Sequence, residues 1–374
     1  MDDSPLLYPF KLGNLNLPNR VVMAPMTRGM SPGGVLPSGA VEYYARRARS
    51  GIGLIITEGT TVPQESAADD DNVPRFHGPE AITRWRQVVE MVHAAGGHII
   101  PQLWHVGLVQ KRTLEDNLVE NQDYSAACSP SGLIWEQERF KQVTNPATDE
   151  KITEAVDAFA KAAATAHEIG CDGVELHGGH GFLIDQFSWA ETNKRKDKWG
   201  GGISERTALA VAIVRAIRER VGHEFPIIFR CSQWKVQNFS VQPLRTPAEL
   251  EAFLGPIADA GVSAFHCSQR RFWDPEFEGS SFNLAGWAKY LTGKPTISVG
   301  SVGLQRDFAS GLQETSKIDI SHLRELEERL DKEEFDLIAI GRALIANPDW
   351  LIKFRCRDWN QFKEYEPEML GSLY

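Results

Sequence analysis

Short apolar runs alternate with helix-period segments along the chain. Eight of the runs read as strands: RVVMAP (20–25), LIITEG (54–59), HIIPQLWH (98–105), GVELHG (173–178), PIIFRCSQ (226–233), AFHCSQ (264–269), PTISVGS (295–301) and LIAIGRA (337–343). Most stay apolar until their last residues, as parallel strands do when helices cover one face and barrel packing fills the other. Between them, ITRWRQVVEMVHAAG sets Ile82, Trp85, Val88, Val89 and Val92 on one helical face, with glycine as a stop. Thr246-Pro247-Ala248-Glu249 has capping-box spacing with proline at the first helical position, and the helix it opens ends at Gly261. Strand and helix repeated eight times close most simply as a (β/α)8 barrel, with an open doubly wound sheet as the alternative.

The pattern predicts one domain over residues 1–374, with long connections at 106–150 and 270–294 beside the mouth of the barrel. The second is rich in aromatics. It forms a lid or pocket wall, or else Phe272, Trp273, Phe277 and Trp287 pin a long loop to the surface. No G-x-G-x-x-G follows any strand run, and Gly300-Ser301-Val302-Gly303 lacks that spacing, so no Rossmann dinucleotide unit is expected.

Composition narrows the function classes. Hydrophobic residues make up 42% and charged residues 24% of 374 positions, as in a compact globular protein. A net charge of -10 with no basic stripe argues against nucleic acid. No apolar run approaches the roughly 20 residues that cross a bilayer. The acidic start, MDDSPLLYPF, lacks the basic lead and apolar stretch of a secretory signal, which points to the cytoplasm. Five scattered cysteines form no Cys-x-x-Cys pair and read as free thiols. A small-molecule enzyme, monomeric or homo-oligomeric, fits best.

Chemistry in such a barrel belongs at the C-terminal strand ends. Thr27, Gly59, Gln102 and His105 fall there, as do His177 and His180, while Arg230 lies within the fifth strand run. Gly300-Ser301, closing the seventh strand run, and Gly341-Arg342, within the eighth, read as a phosphate site of exposed backbone N–H groups and a guanidinium; the bland reading is tight turns and a surface ion pair. Arg230 must meet a carboxylate or a bound anion. His177 and His180, three apart around a glycine pair, read as metal ligands, packing residues or polar handles for a substrate. The metal reading lacks H-E-x-x-H spacing and a clear third ligand, so no metal is expected.

Taken together the residues resemble the Old Yellow Enzyme family of flavin-dependent ene-reductases. The likeness runs from LYPFKLGNLNLPNRVVMAPMTR through YYARRARSGIGLIITEGT, PQLWHVG, GVELHGGHGFLIDQF and TNKRKDKWGG to IAIGRALIANPDW. It implies FMN across the barrel mouth, with NADPH or NADH as reductant. On that reading Pro25, Met26 and Thr27 flank the flavin, Gly59 and Gln102 meet its pyrimidine side, and Arg230 faces N1 and O2. Gly300, Ser301, Gly341 and Arg342 hold its phosphate. His177 and His180 polarise the carbonyl of an α,β-unsaturated substrate, in a pocket with Trp104, Phe182, Phe272 and Trp273. Members of the family carry a proton-donating tyrosine two residues after the second histidine; here Phe182 stands, and a phenyl ring cannot donate. Protonation by water, by His105, Cys267 or Tyr290, or a different flavin reaction such as substrate oxidation then remain. A metal-dependent barrel hydrolase using His177 and His180 is the rival from another class.

Overall fold

The computed structural model describes residues 4–109, 122–136, 138–307 and 314–374. Two short strands, β1 (Phe10–Leu12) and β2 (Leu15–Leu17), pair as an antiparallel hairpin ahead of the barrel. Barrel strands β3 (Val21–Met23), β4 (Leu54–Thr61) and β5 (Ile99–Trp104) follow. A second hairpin, β6 (Leu133–Glu136) with β7 (Arg139–Gln142), lies in the connection 106–150, of which residues 110–121 and 137 fall outside the described residues. The barrel resumes with β8 (Val174–His177), β9 (Ile227–Ser232), β10 (Ala264–Ser268), β11 (Thr296–Val299) and β12 (Leu337–Ile340). These eight strands run parallel in chain order around a closed cylinder, and β12 pairs with β3 to complete it. Each coincides with one of the eight apolar runs of the sequence; β4 alone runs further, past a register shift between Ile56 and Gly59.

The two-residue period of a strand sorts the side chains into two cores. Along β9, Phe229 and Cys231 join the large outer core between strands and helices, whereas Ile228 joins an inner core with Val22, Leu54, Ile100, Ile297 and Leu337. Leu12 and Leu17 of the leading hairpin belong to this inner core too, so the hairpin stops the N-terminal end of the cylinder. The helices follow their sequence signals. Pro79–Ala94 buries Trp85, Val88, Val89 and Val92, and the chain reverses at Gly96, whose φ of 77° suits glycine. Pro247–Asp259 has its capping box in place: Thr246 Oγ1 accepts from Glu249 N, and Glu249 Oε2 accepts from Thr246 N, both at 3.2 Å.

In the aromatic connection 270–294 the rings pack against the body of the barrel, while Arg270 at its start lines the mouth. Phe272 is buried in the outer core, and Trp273 stacks on His322 at 3.7 Å with planes 6° apart. Phe277 meets Trp287 edge-on, 5.6 Å between centroids. These rings fasten the segment to the helical wall, so the sequence expectation that Phe272 and Trp273 face a substrate does not hold geometrically.

Candidate active site

A cavity of about 370 Å³ opens at the C-terminal ends of the barrel strands. All eight strands or the residues directly after them contribute to its lining, and Leu370 adds a wall from the far end of the chain. Pro25, Met26, Thr27, Gly59, Gln102, Arg230, Gly300, Ser301, Gly341 and Arg342 line it, together with His177, His180, Trp104 and Phe182. Trp234, Ser268, Gln269 and Arg270 line it as well, and sequence reading missed them as site residues. Trp234 lies just past the arginine strand, where an aromatic ring could have been noticed, whereas Leu370 gives no local signal at all.

The imidazole wall is built on a tight turn. After β8, Gly178 lies against β9, where a Cβ would come within 2.2 Å of the Phe229 ring. His180 then adopts a left-handed backbone, φ 64°, which costs a non-glycine residue on the order of 1–3 kcal/mol. Its surroundings hold it there. The backbone N–H of His180 donates to Ser232 Oγ at 2.8 Å, and its carbonyl accepts from Val236 N at 3.1 Å. Its ring stacks on Trp234 at 4.0 Å, and Nε2 pairs with Ser268 Oγ at 2.9 Å. A buried ion pair fastens the same turn: Lys235 Nζ donates to both oxygens of Asp185 at 2.7 Å, and Asp185 Oδ2 accepts from Gly181 N at 2.6 Å. The His177 ring stands nearly perpendicular to His180, 5.0 Å between centroids, with Phe182 edge-on beside it at 4.9 Å. Burial first, and then the positive charge of Arg230, holds both imidazoles well below their usual pKa, so each is neutral and carries one N–H.

The floor is polar. Gln102 Nε2 donates to Glu175 Oε1 at 2.7 Å, and Glu175 Oε2 pairs with His266 Nδ1 at 2.7 Å. Arg230 lies alongside, its Nη2 3.5 Å from Ser268 Oγ. Among the described residues, Arg230 Nε and His177 Nδ1 are buried without a protein partner. Unsatisfied polar atoms of this kind cost free energy when buried, so their place beside a cavity suits a polar ligand. At the opposite rim, Gly300 approaches so closely that a Cβ would meet Gln269 O at 2.8 Å. Ser301 Oγ donates to Arg270 O at 2.8 Å, and Arg342 Nη2 donates to Arg306 O at 2.6 Å. Two guanidiniums, Arg342 and Arg270, the latter paired with Asp307 Oδ2 at 2.9 Å, thus flank the rim, an arrangement that suits a phosphate. Guanidiniums at both ends match a flat heterocycle bearing a phosphate tail.

The other proton donors considered from sequence lie elsewhere. His105 Nε2 pairs with Gln64 Oε1 and its Nδ1 accepts from Gly107 N; burial pushes its pKa down to about 3. Cys267 belongs to the outer core, 3.9 Å from Cys231 Sγ, and burial drives its pKa well up. Tyr290 is exposed on the outer wall. None of the three lines the cavity. Among the described residues no group of three or more His, Cys, Asp or Glu could hold a metal ion.

A parallel eight-stranded barrel with these donors at its mouth defines the class of flavin-dependent oxidoreductases of the Old Yellow Enzyme type. The chain belongs to the NADH:flavin oxidoreductase / NADH oxidase family, whose profile matches residues 5–357. It is 29% identical over 364 residues to 12-oxophytodienoate reductase 7 of Oryza sativa subsp. japonica, a match covering 94% of this chain and 88% of that protein. Over 350 residues it is 30% identical to NADH oxidase of Thermoanaerobacter brockii, covering 91% of this chain but 49% of that protein, so it spans about half of that relative's length. Among solved structures, morphinone reductase in complex with tetrahydroNAD superposes with a TM-score of 0.76 at 27% identity, over 98% of this chain and 94% of that one. The protein is therefore an NAD(P)H-dependent oxidoreductase that uses FMN.

Proposed function

We propose that the enzyme reduces an alkene conjugated to a carbonyl, or a similar electron-poor acceptor, taking electrons from NADPH or NADH by way of FMN in the cavity just described. When bound, FMN would supply reversible two-electron chemistry between the nicotinamide and the acceptor. Pro25, Met26, Thr27, Gly59, Gln102 and Arg230 would hold its ring, and Gly300, Ser301, Gly341 and Arg342 its phosphate. Arg270 is a further cation at that end.

The observation that supports the reading is the pair of neutral imidazoles on one wall. An N–H from each of His177 and His180 directed at the acceptor's carbonyl oxygen withdraws density from the double bond. The same donors hold the enolate that forms as hydride reaches the β-carbon, and they strengthen as charge grows on that oxygen. Neutrality matters here: an imidazolium would bind any anion, whereas a neutral donor gains most when the oxygen becomes negative. Phe182 and Trp104, edge to face at 5.1 Å, keep the remaining wall apolar and favour a hydrophobic acceptor. The proton that completes the product comes from water, because Phe182 cannot provide it and His105, Cys267 and Tyr290 are out of reach.

The test is to reduce the FMN-loaded enzyme anaerobically with each nicotinamide, then mix it with enones, quinones and nitro compounds while following the oxidised flavin spectrum. Enones should restore the spectrum, and His177→Ala with His180→Ala should slow that step by on the order of 100-fold or more while leaving reduction by nicotinamide far less affected. Oxidised flavin regenerated by oxygen alone, with no response to any enone, would sink the proposal.

A further inference from the structure

A buried charge count in the layer beneath the cavity leads beyond the electron acceptor. Arg230 is the cation expected to balance the negative charge that a reduced flavin carries near N1. Yet Glu175 stands close enough that its carboxylate stabilises the charged form of Arg230. Glu175 is fully buried, so its charge has no solvent to screen it. Before any reduction, then, Arg230 and Glu175 already cancel each other. One further negative charge arriving on the ring would sit in a protein interior with no net counter-charge, a costly arrangement.

The same carboxylate touches a third group. His266, in register with Arg230 across the β9–β10 pair and fully buried, shares its Nδ1 proton with Glu175 Oε2 at 2.7 Å. Its other nitrogen, Nε2, is buried and has no partner among the described residues. We propose that His266 is the proton acceptor of the redox site: as FMN gains two electrons and one proton, at N5, His266 Nε2 takes a second proton from water, and Glu175 holds the resulting imidazolium. The electrons come from the reduced nicotinamide of the proposed reaction, and this inference rests on that reading. Charge balances at each stage. With oxidised flavin the set of Arg230, Glu175 and neutral His266 sums to zero; with anionic reduced flavin and protonated His266 it sums to zero again.

The groups that face His266 make the exchange selective. Glu175 and His177 come from β8, His180 from the turn beyond it, Arg230 from β9, and the uncharged Gln102 from β5. Strands β3, β11 and β12 contain no titratable side chain, and the Glu58 carboxylate of β4 is turned to the backbone N–H of Arg28 at 3.0 Å. Burial first, with Arg230 behind it, holds the pKa of His266 down against the pull of Glu175. A new negative charge on the flavin adds to the carboxylate and reverses the balance.

The experiment is the midpoint potential of the FMN-loaded enzyme across about pH 6 to 9, where histidine protonation is in play. The absorption spectrum of the reduced form is recorded at each pH, to show that the ring itself stays anionic. The wild type should take up two protons per two electrons over part of this range. His266→Asn keeps a donor for Glu175 and should take up one. Glu175→Gln, a second route should the first variant fold poorly, should also take up one, since an imidazole without its carboxylate stays neutral. His177→Asn should leave the count at two. A wild type that takes up one proton throughout, a count of two that persists in His266→Asn, or a loss confined to His177→Asn each overturns the proposal. A protein that binds no FMN at all would instead overturn the reading on which it rests.

Discussion

At position 182 a missing hydroxyl sets this chain apart from the pattern it resembles, and the Phe182 ring lines the cavity beside His177. Restoring a phenol there tests what is missing. Phe182→Tyr should speed reoxidation of the reduced enzyme by simple enones, by up to on the order of 100-fold if proton delivery limits that step; stopped-flow absorbance would read it, and an unchanged or slower rate would mean that protonation is not limiting. Lys235 invites a second substitution. Lys235→Met leaves Asp185 buried and unpaired, which costs on the order of 3–5 kcal/mol and should lower the melting temperature. It also frees the His180 turn, so reoxidation by an enone should suffer more than reduction by nicotinamide. At this scale the strand-end residues were legible because chemistry-bearing types broke apolar runs. The partnership of Gln102, Glu175 and His266 was not, because it spans three strands that only barrel closure brings together.

At the scale of elements, the connection 270–294 shows where sequence stops informing. Its aromatics suit a lid as well as an anchor, and only their partners decide: Trp273 on His322 and Phe272 in the outer core. The leading hairpin was more readable than the run-by-run reading made it, since Gly13-Asn14 between the alternating Phe10–Leu12 and Leu15–Leu17 is a two-residue hairpin signal. The anchored connection also contains a titrating carboxyl. Glu276 accepts from Gln233 Nε2 at 3.0 Å and Gln269 Nε2 at 3.2 Å, and burial pushes its pKa from 4.5 up to about 7. Between those values the folded chain holds a proton that the unfolded chain has released. Stability contributed below about 4.5 is therefore lost as pH rises through about 7, by on the order of 3 kcal/mol. Glu276→Gln should flatten that decline in chemical denaturation and be the more stable protein above neutrality. A decline of the same size in the variant would assign it to another group.

For the molecule as a whole, the barrel was legible because strand and helix periods alternate eight times without a break. The way its last residues return to the mouth was not. Arg28 Nη2 donates to the carbonyls of Met369, Leu370 and Ser372, and Arg47 Nη2 to those of Leu344 and Tyr374. No sequence period encodes contacts 297 to 344 residues apart. Removing residues 369–374 should strip acceptors from two buried guanidiniums and the Leu370 wall from the cavity. The expected loss is on the order of 3 kcal/mol in a denaturant titration, with weaker retention of FMN on dilution.

The hairpin that stops the other end of the cylinder has a consequence for traffic. A vessel stopped at that end admits visitors at its mouth, and the proposed reaction then has the electron donor depart before the electron acceptor enters. Crowding the solution with acceptor should therefore jam the doorway against the nicotinamide, and steady-state rates should pass through a maximum and decline as acceptor concentration climbs.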